Sequence, residues 1–247
     1  MQSIKKVKNL KGKTVLLRAD MNVPMERGKV TDDFRILQAL PTIEYLKKEG
    51  AKIIIVSHLG EDGDESLAPV AKILNVHSKV KFIDKIIGFE VGEAIHEMEE
   101  GDAIMLENLR GNDGEKENDK TFAAALASLA EIYVNDAFSV SHREHASIVG
   151  VPKLLPSYAG LQMMEEIKNL KIAFKPPRPF FFILGGAKFS TKLPLIENYL
   201  EHADAVFVGG ALANTLLAAR GDEVGASLYD KPTNAIQKLL SHDNLAL

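Results

Sequence analysis

The sequence predicts an α/β fold: a complete parallel sheet domain covered by helices, a connecting helix, and the opening units of a second, incomplete α/β domain. Three observations carry that reading. Short apolar runs rich in β-branched residues alternate with segments of helical period through the first 150 residues, which is the pattern of βαβ units. The apolar runs are continuous rather than alternating, as strands buried on both faces must be. After a proline-rich break the same alternation begins again at Phe180.

Strands are expected near Val15–Leu17, Lys52–Ser57, Val80–Ile83, Ala103–Leu106 and Ile132–Val134. Helices are expected near Phe34–Lys48, Leu67–Leu74, Gly88–Glu99 and Thr121–Leu129. Thr31-Asp-Asp-Phe-Arg35 supplies a cap and first-turn acid for the first of these helices. Crossovers should be right-handed, but strand order does not follow from the pattern. Glu61-Asp-Gly-Asp-Glu65 and the stretch from Gly111 to Asp119 read as acidic, glycine-containing loops, solvated and mobile.

The first domain is placed at residues 1–151. Pro152 and Pro156 interrupt the pattern, and Leu161, Met164, Ile167 and Leu170 then recur at helical spacing, with Met163 and Met164 as packing residues. Lys175-Pro-Pro-Arg-Pro179 stops that helix, so residues 152–178 form a connector. Residues 179–247 begin a second unit. Phe180–Leu184 is a strand, Gly185-Gly186-Ala187 a turn, and Leu193, Ile196 and Leu200 mark a helix. Ala205–Val208 is a further strand, ending in Gly209-Gly210 before an Ala211–Ala219 helix, and Asp243 to Leu247 leads into an unfinished strand. A parallel sheet of about two strands is far below the usual size.

Composition narrows the function classes. A net charge of -4 argues against a general nucleic-acid binder. The absence of cysteine excludes disulfides and thiolate metal sites and fits a reducing cytoplasm. The basic start has no apolar signal core behind it, and Phe180–Leu184 is too short to span a bilayer, so neither export nor a membrane partner is expected.

Chemistry-bearing residues gather where strands end. The first strand gives way to Asp20, Met21 and Asn22, the second to His58, Leu59 and Gly60, on what should be the same sheet edge. Asp20 and Asn22 either build an Asx turn or present a carboxylate and an amide to a ligand. Arg35 sits in a first helical turn, where the macrodipole disfavours a cation; it faces an anion or pairs with Asp32 or Asp33. Arg110 and Arg143 leave later strands in the same way, and a guanidinium binds phosphate or carboxylate bidentately. His142 and His145 flank Arg143 at a spacing seen in metal sites, but no cysteine or third histidine lies nearby; anion contact is the better reading for His58, His142 and Arg143. Lys188 and Lys192 follow the first glycine turn of the second unit. Neither glycine turn matches a Walker loop or the dinucleotide fingerprint, although free N–H groups at a helix start still favour an anion.

Seven strings, VLLRADMNVP, TDDFRI, IIIVSHLG, MLENLR, YVNDAF, SHREHAS and ILGGAK, resemble successive motifs of phosphoglycerate kinases, in that family's order. The resemblance runs from the first strand to about Asp230. It implies a Rossmann-like fold and a cytoplasmic, monomeric transferase of glycolysis and gluconeogenesis, acting on 3-phosphoglycerate and ATP or ADP with Mg²⁺. By position, it implies that Asp20, Met21, Asn22, Arg35, His58, Leu59, Gly60, Arg110, His142 and Arg143 meet the triose. Arg35, Lys188 and Lys192 would act on the transferring group. Gly185, Gly186, Ala187, Lys188, Lys192, Gly209 and Gly210 would meet the nucleotide. The family's metal-binding aspartate lies in a part absent from these 247 residues, so this chain is expected to bind triose with negligible turnover. Two residues depart from the family. Glu61 stands where an arginine usually follows His-Leu-Gly, which should weaken phosphate binding unless a neighbour compensates, and Gly111 replaces an aromatic. A non-catalytic triose-binding module and a nucleotide-dependent oxidoreductase are the other classes, the latter disfavoured by the missing fingerprint.

Overall fold

The computed structural model describes residues 2–247 as two compact units, one reaching Leu170 and the other Lys171–Leu247. The first unit carries β1 (Thr14–Arg18), the hairpin strands β2 (Met25–Glu26) and β3 (Lys29–Val30), α1 (Phe34–Lys48), β4 (Lys52–Val56), α2 (Ala68–Ser78) and β5 (Lys81–Phe82). It continues through α3 (Phe89–His96), β6 (Ala103–Met105), α4 (Asp113–Lys116), α5 (Lys120–Ala127), β7 (Ile132–Asn135), β8 (Ser157–Ala159) and all but the last two residues of α6 (Leu161–Ile172). Six strands pair in parallel in the order β5-β6-β4-β1-β7-β8.

Right-handed crossovers convert that order into layers. The path β1–β4–β5 steps one way across the sheet, so α1 and α2 fall on one face; the return through β6 and β7 puts α3 and α5 on the other. The strands alternate accordingly. Val15, Leu17, Ile53, Ile55 and Val134 pack with Ile36, Ile43, Leu46, Val70 and Leu74, while Leu16, Ile54, Val56, Ile104 and Tyr133 pack with Val91, Ala94, Phe122 and Leu126. Each Val, Leu, Ile or Phe side chain among them, taken fully out of water, contributes about 1.5–3 kcal/mol.

The sheet runs past Val151, because β8 pairs with β7 inside the stretch expected to be connector. Pro156 does not prevent this. A proline lacks only the donor, and its carbonyl accepts from Tyr133 N at 3.0 Å. At the start of α6, Asp136 accepts from Met163 N at 2.9 Å and from Thr42 Oγ1 at 2.5 Å. A Cβ on Gly160 would fall 2.2 Å from Asp136 Oδ1, so this close approach needs glycine.

The second unit holds β9 (Phe181–Gly185), α7 (Leu193–His202), β10 (Ala205–Gly209), α8 (Gly210–Arg220), α9 (Asn234–Leu239) and β11 (Leu245–Ala246), a parallel sheet of three strands ordered β11-β10-β9. Every crossover moves in the same direction, so all three helices share one face, over Phe182, Leu184, Val206 and Val208. On the other face Phe181, Ile183 and Phe207 are exposed. No helix among the described residues is long and apolar enough to cross a membrane.

Candidate active site

Because the six strands are parallel, their carboxyl ends share one edge. Connections leave β1 and β4 toward one face and β6 and β7 toward the other, so crevices open between β4 and β6 and between β1 and β7. The loops after these four adjacent strands carry nearly all the candidate triose residues.

At the β1/β7 crevice, Arg35 Nη1 donates to both oxygens of Asp20, at 3.1 and 3.2 Å, and Ser139 Oγ donates to Asp20 at 2.6 Å. The partner of Arg35 is therefore neither Asp32 nor Asp33; Asp32 instead accepts from Phe34 N at the helix start. The Arg35 side chain remains 45% exposed, so the pair is open to exchange with an external anion. Asp20 and Arg35 line a cavity of about 360 Å³ with Gln38, Phe138 and Gln162. A larger cleft, about 720 Å³, lies at the amino ends of β5 and β6 and contains none of the candidate residues.

At the β4/β6 crevice one amide organises two loops. Asn108 Oδ1 accepts from Leu59 N and Arg110 N, at 3.2 and 3.1 Å, and its Nδ2 donates to Leu59 O and Glu65 O, both at 2.8 Å. Asn22 Oδ1 accepts from Gly60 N at 3.0 Å, tying in the β1 loop. The acidic side chains of Glu61–Glu65 are exposed as expected, but the backbone of the loop is anchored: Asn108 Nδ2 donates to Glu65 O, and a Cβ on Gly63 would fall 2.1 Å from Arg110 O. Arg110 is buried, donates to Gly60 O, and faces Glu61 Oε2 at 3.3 Å. Glu61 therefore already pairs with this buried cation.

The remaining expected residues are placed unequally. His58 is buried, and burial first, then the charges of Arg18 and Arg110, hold its imidazole down at about 2. Met21 and Leu59 were expected among the triose residues but are core side chains, and their N–H groups already serve Ser57 Oγ and Asn108 Oδ1. Strand-end alternation turns them inward while Asp20 and His58 face the crevice loops. Arg143 is half-buried and His142 exposed; His145 is buried 3.8 Å from Glu115. The Nε atoms of Arg110 and Arg143 are buried without a partner, which is costly unless a ligand supplies an acceptor.

In the second unit Gly185 and Gly209 are register partners, so the two glycine turns lie side by side. A Cβ on Gly186 would sit 3.9 Å from Lys192 Cε, and one on Gly210, whose φ is +64°, 3.9 Å from Gly186 O. Lys192 and both turns therefore converge where α8 begins, whereas Ala187 and Lys188 are exposed beside them. No group of three carboxylate or imidazole side chains among the described residues could seat a metal ion.

Sequence reasoning missed Arg18, Asn108, Glu115 and Ser147. A charge within a buried run was a usable signal for Arg18. Glu115, read as part of a solvated acidic loop, is fully buried in α4, where Ser147 N and Oγ donate to it at 2.9 and 2.6 Å. Nothing local announces a partner 32 residues away.

Known proteins resemble this chain in sequence and fold. The family model described as phosphoglycerate kinase covers residues 4–245. Phosphoglycerate kinases from Dictyoglomus turgidum and from Wolbachia sp. subsp. Drosophila simulans are each 48% identical, across 90% and 94% of this chain and 58% and 59% of their own. The structure of phosphoglycerate kinase from Coxiella burnetii superposes with a TM-score of 0.85 at 38% identity, over 99% of this chain and 65% of that one. The chain thus spans about 58% of the length of the first of these relatives. Its motifs fall in family order on the edge of a sheet that superposes on the family's own, and the chain belongs to the phosphoglycerate kinase family.

Proposed function

We propose that this chain serves as a phosphoglycerate kinase, transferring a phosphoryl group reversibly between 1,3-bisphosphoglycerate with ADP and 3-phosphoglycerate with ATP. The observation that carries the reading is the convergence of Arg35, His58, Arg110 and Arg143 on loops of four adjacent parallel strands, with two buried guanidinium nitrogens lacking an acceptor. A small molecule with phosphate at one end and carboxylate at the other satisfies both crevices. Asp20, Asn22 and Gly60 hold the loops in register, Arg110 and Arg143 take the triose anion, and Arg35 exchanges Asp20 for the transferring group. Lys192, Lys188 and the paired glycine turns receive the nucleotide phosphates. The attacking group is already an anion, so positioning and cationic stabilisation suffice without a general base. Magnesium enters as part of the nucleotide substrate. The working state is a cytoplasmic monomer.

Calorimetric titration of 3-phosphoglycerate tests the triose half, and a coupled ATP assay on rigorously purified chain tests transfer. Arg143→Ala and Arg35→Ala are each expected to lower triose affinity about tenfold or more, the value of a charge-assisted hydrogen bond. Binding indifferent to both substitutions overturns the site assignment. Triose binding with negligible turnover is the outcome expected above for these 247 residues, and turnover near that of a full-length enzyme overturns that expectation.

A further inference from the structure

The site contains a buried cation with no ligand role assigned to it. Arg18, the last residue of β1, is fully buried, an uncommon place for a guanidinium. Its Nε donates to Ser147 Oγ at 3.0 Å, its Nη1 donates to Ala19 O at 2.7 Å, and its Nη2 stands 3.0 Å from His58 Nδ1. Ser147 is fixed in turn. Its Oγ and N donate to Glu115, and its carbonyl accepts from Tyr133 Oη at 2.6 Å.

The direction of every bond in this chain is set by donor inventory. A guanidinium only donates, and a hydroxyl that gives its proton to a carboxylate must accept from the next group. Ser147 therefore donates to Glu115 and accepts from Arg18. The His58 nitrogen facing Arg18 must then be a lone pair. We propose that Arg18, anchored through Ser147 to Glu115, is a positioning residue that fixes His58 as its neutral Nε2–H tautomer, so that the imidazole meets its anionic ligand as a directed N–H donor and not as a cation. The ligand clause rests on the function proposed above; the tautomer does not.

The surroundings act in the same direction. The groups facing His58 are Arg18 from β1, Arg110 beyond β6, and Arg143 and His145 beyond β7, and each disfavours a further positive charge. Burial, the largest of these influences, acts in the same direction. Glu115, the buried carboxyl in the network, accepts from Ser147 N and Oγ and stands 3.8 Å from His145 Nδ1. The site's positive charge is therefore carried by arginines, and histidine supplies geometry.

Nitrogen NMR of the full chain labelled with ¹⁵N-histidine reads the tautomer directly. Of the seven imidazoles, the one lost in His58→Gln is His58. The expected spectrum has Nε2 protonated and Nδ1 bare, unchanged from about pH 5 to about pH 8, the span in which an ordinary histidine titrates. An Nδ1–H tautomer, or an imidazolium forming in that span, overturns the proposal. Arg18→Met is expected to give mixed tautomers and a midpoint moved toward the ordinary value. Should that variant not fold, Ser147→Ala, which frees the guanidinium from its anchor, is expected to show part of the same tautomer mixing. A folded Arg18→Met chain that keeps a pure, unchanging Nε2–H form also overturns it. The spectrum is taken without ligand, so Nε2–H His58 in a chain that fails to bind 3-phosphoglycerate upholds this inference and counts against the triose reading.

Discussion

Replacing Glu61 with glutamine isolates a single charge at the mouth of the β4/β6 crevice. Glu61 Oε2 lies 3.3 Å from Arg110 Nη1, with the glutamate side chain 72% exposed and the arginine 2%. A pair with so exposed a partner is worth only about 0.2–1 kcal/mol, and an incoming phosphate must displace it. At a separation of roughly 7 Å, a displaced carboxylate would repel a phosphate dianion by about 1 kcal/mol in water-like dielectric, halved by salt near 0.1 M. Together these oppose binding by about 0.8–1.6 kcal/mol, so Glu61→Gln should tighten 3-phosphoglycerate about 4- to 15-fold. Arginine at this position is a poorer probe, because it would face the guanidinium of Arg110. Calorimetry at about 0.02 M and about 0.3 M salt provides the assay, with the gain expected to shrink at the higher salt. No gain, or a gain indifferent to salt, refutes the reasoning and shows that Glu61 leaves Arg110 without a measurable electrostatic effect.

Two other perturbations follow from buried polar groups. Asn108→Ala strands the N–H groups of Leu59 and Arg110 and the carbonyls of Leu59 and Glu65; it should cost about 2–4 kcal/mol in urea unfolding of the first unit and weaken triose binding in parallel. An unchanged unfolding midpoint would mean water replaces the amide. Burial lifts the Asp136 carboxyl to about 6, against the hydrogen bonds from Thr42, Met163 and Gln162. The folded state then binds the extra proton between about pH 4 and pH 6, so this group's contribution to stability falls as pH rises through that window, by up to about 3 kcal/mol. Asp136→Asn should gain on the wild type across it, as read by urea midpoints at about pH 4 and pH 7; parallel pH profiles would contradict the assignment.

The alternation of elements, the continuous apolar strands and the places where strands end in polar residues were legible in the sequence, because these depend on neighbours along the chain. Val15–Leu17 and Ile53–Val56 could be read as buried strands from their side chains alone, and Asp20, Arg35, His58, Arg110 and Arg143 from their positions just past strand or helix boundaries. How those residues are paired depends on the fold. Strand order brings the loops after β6, β4, β1 and β7 together, and no local period encodes that order. Arg35 pairs with Asp20 rather than with its sequence neighbours because the helix start is folded back over the β1 loop. Glu115 shows the limit most plainly. In a run of acids and glycines it looks solvated, but it lies buried because Ser147, 32 residues on, supplies the hydrogen bonds that replace water. Arg18 and His58 likewise acquire their roles from each other across 40 residues. A buried polar group is stable only with its partners present, and those partners are a property of the fold.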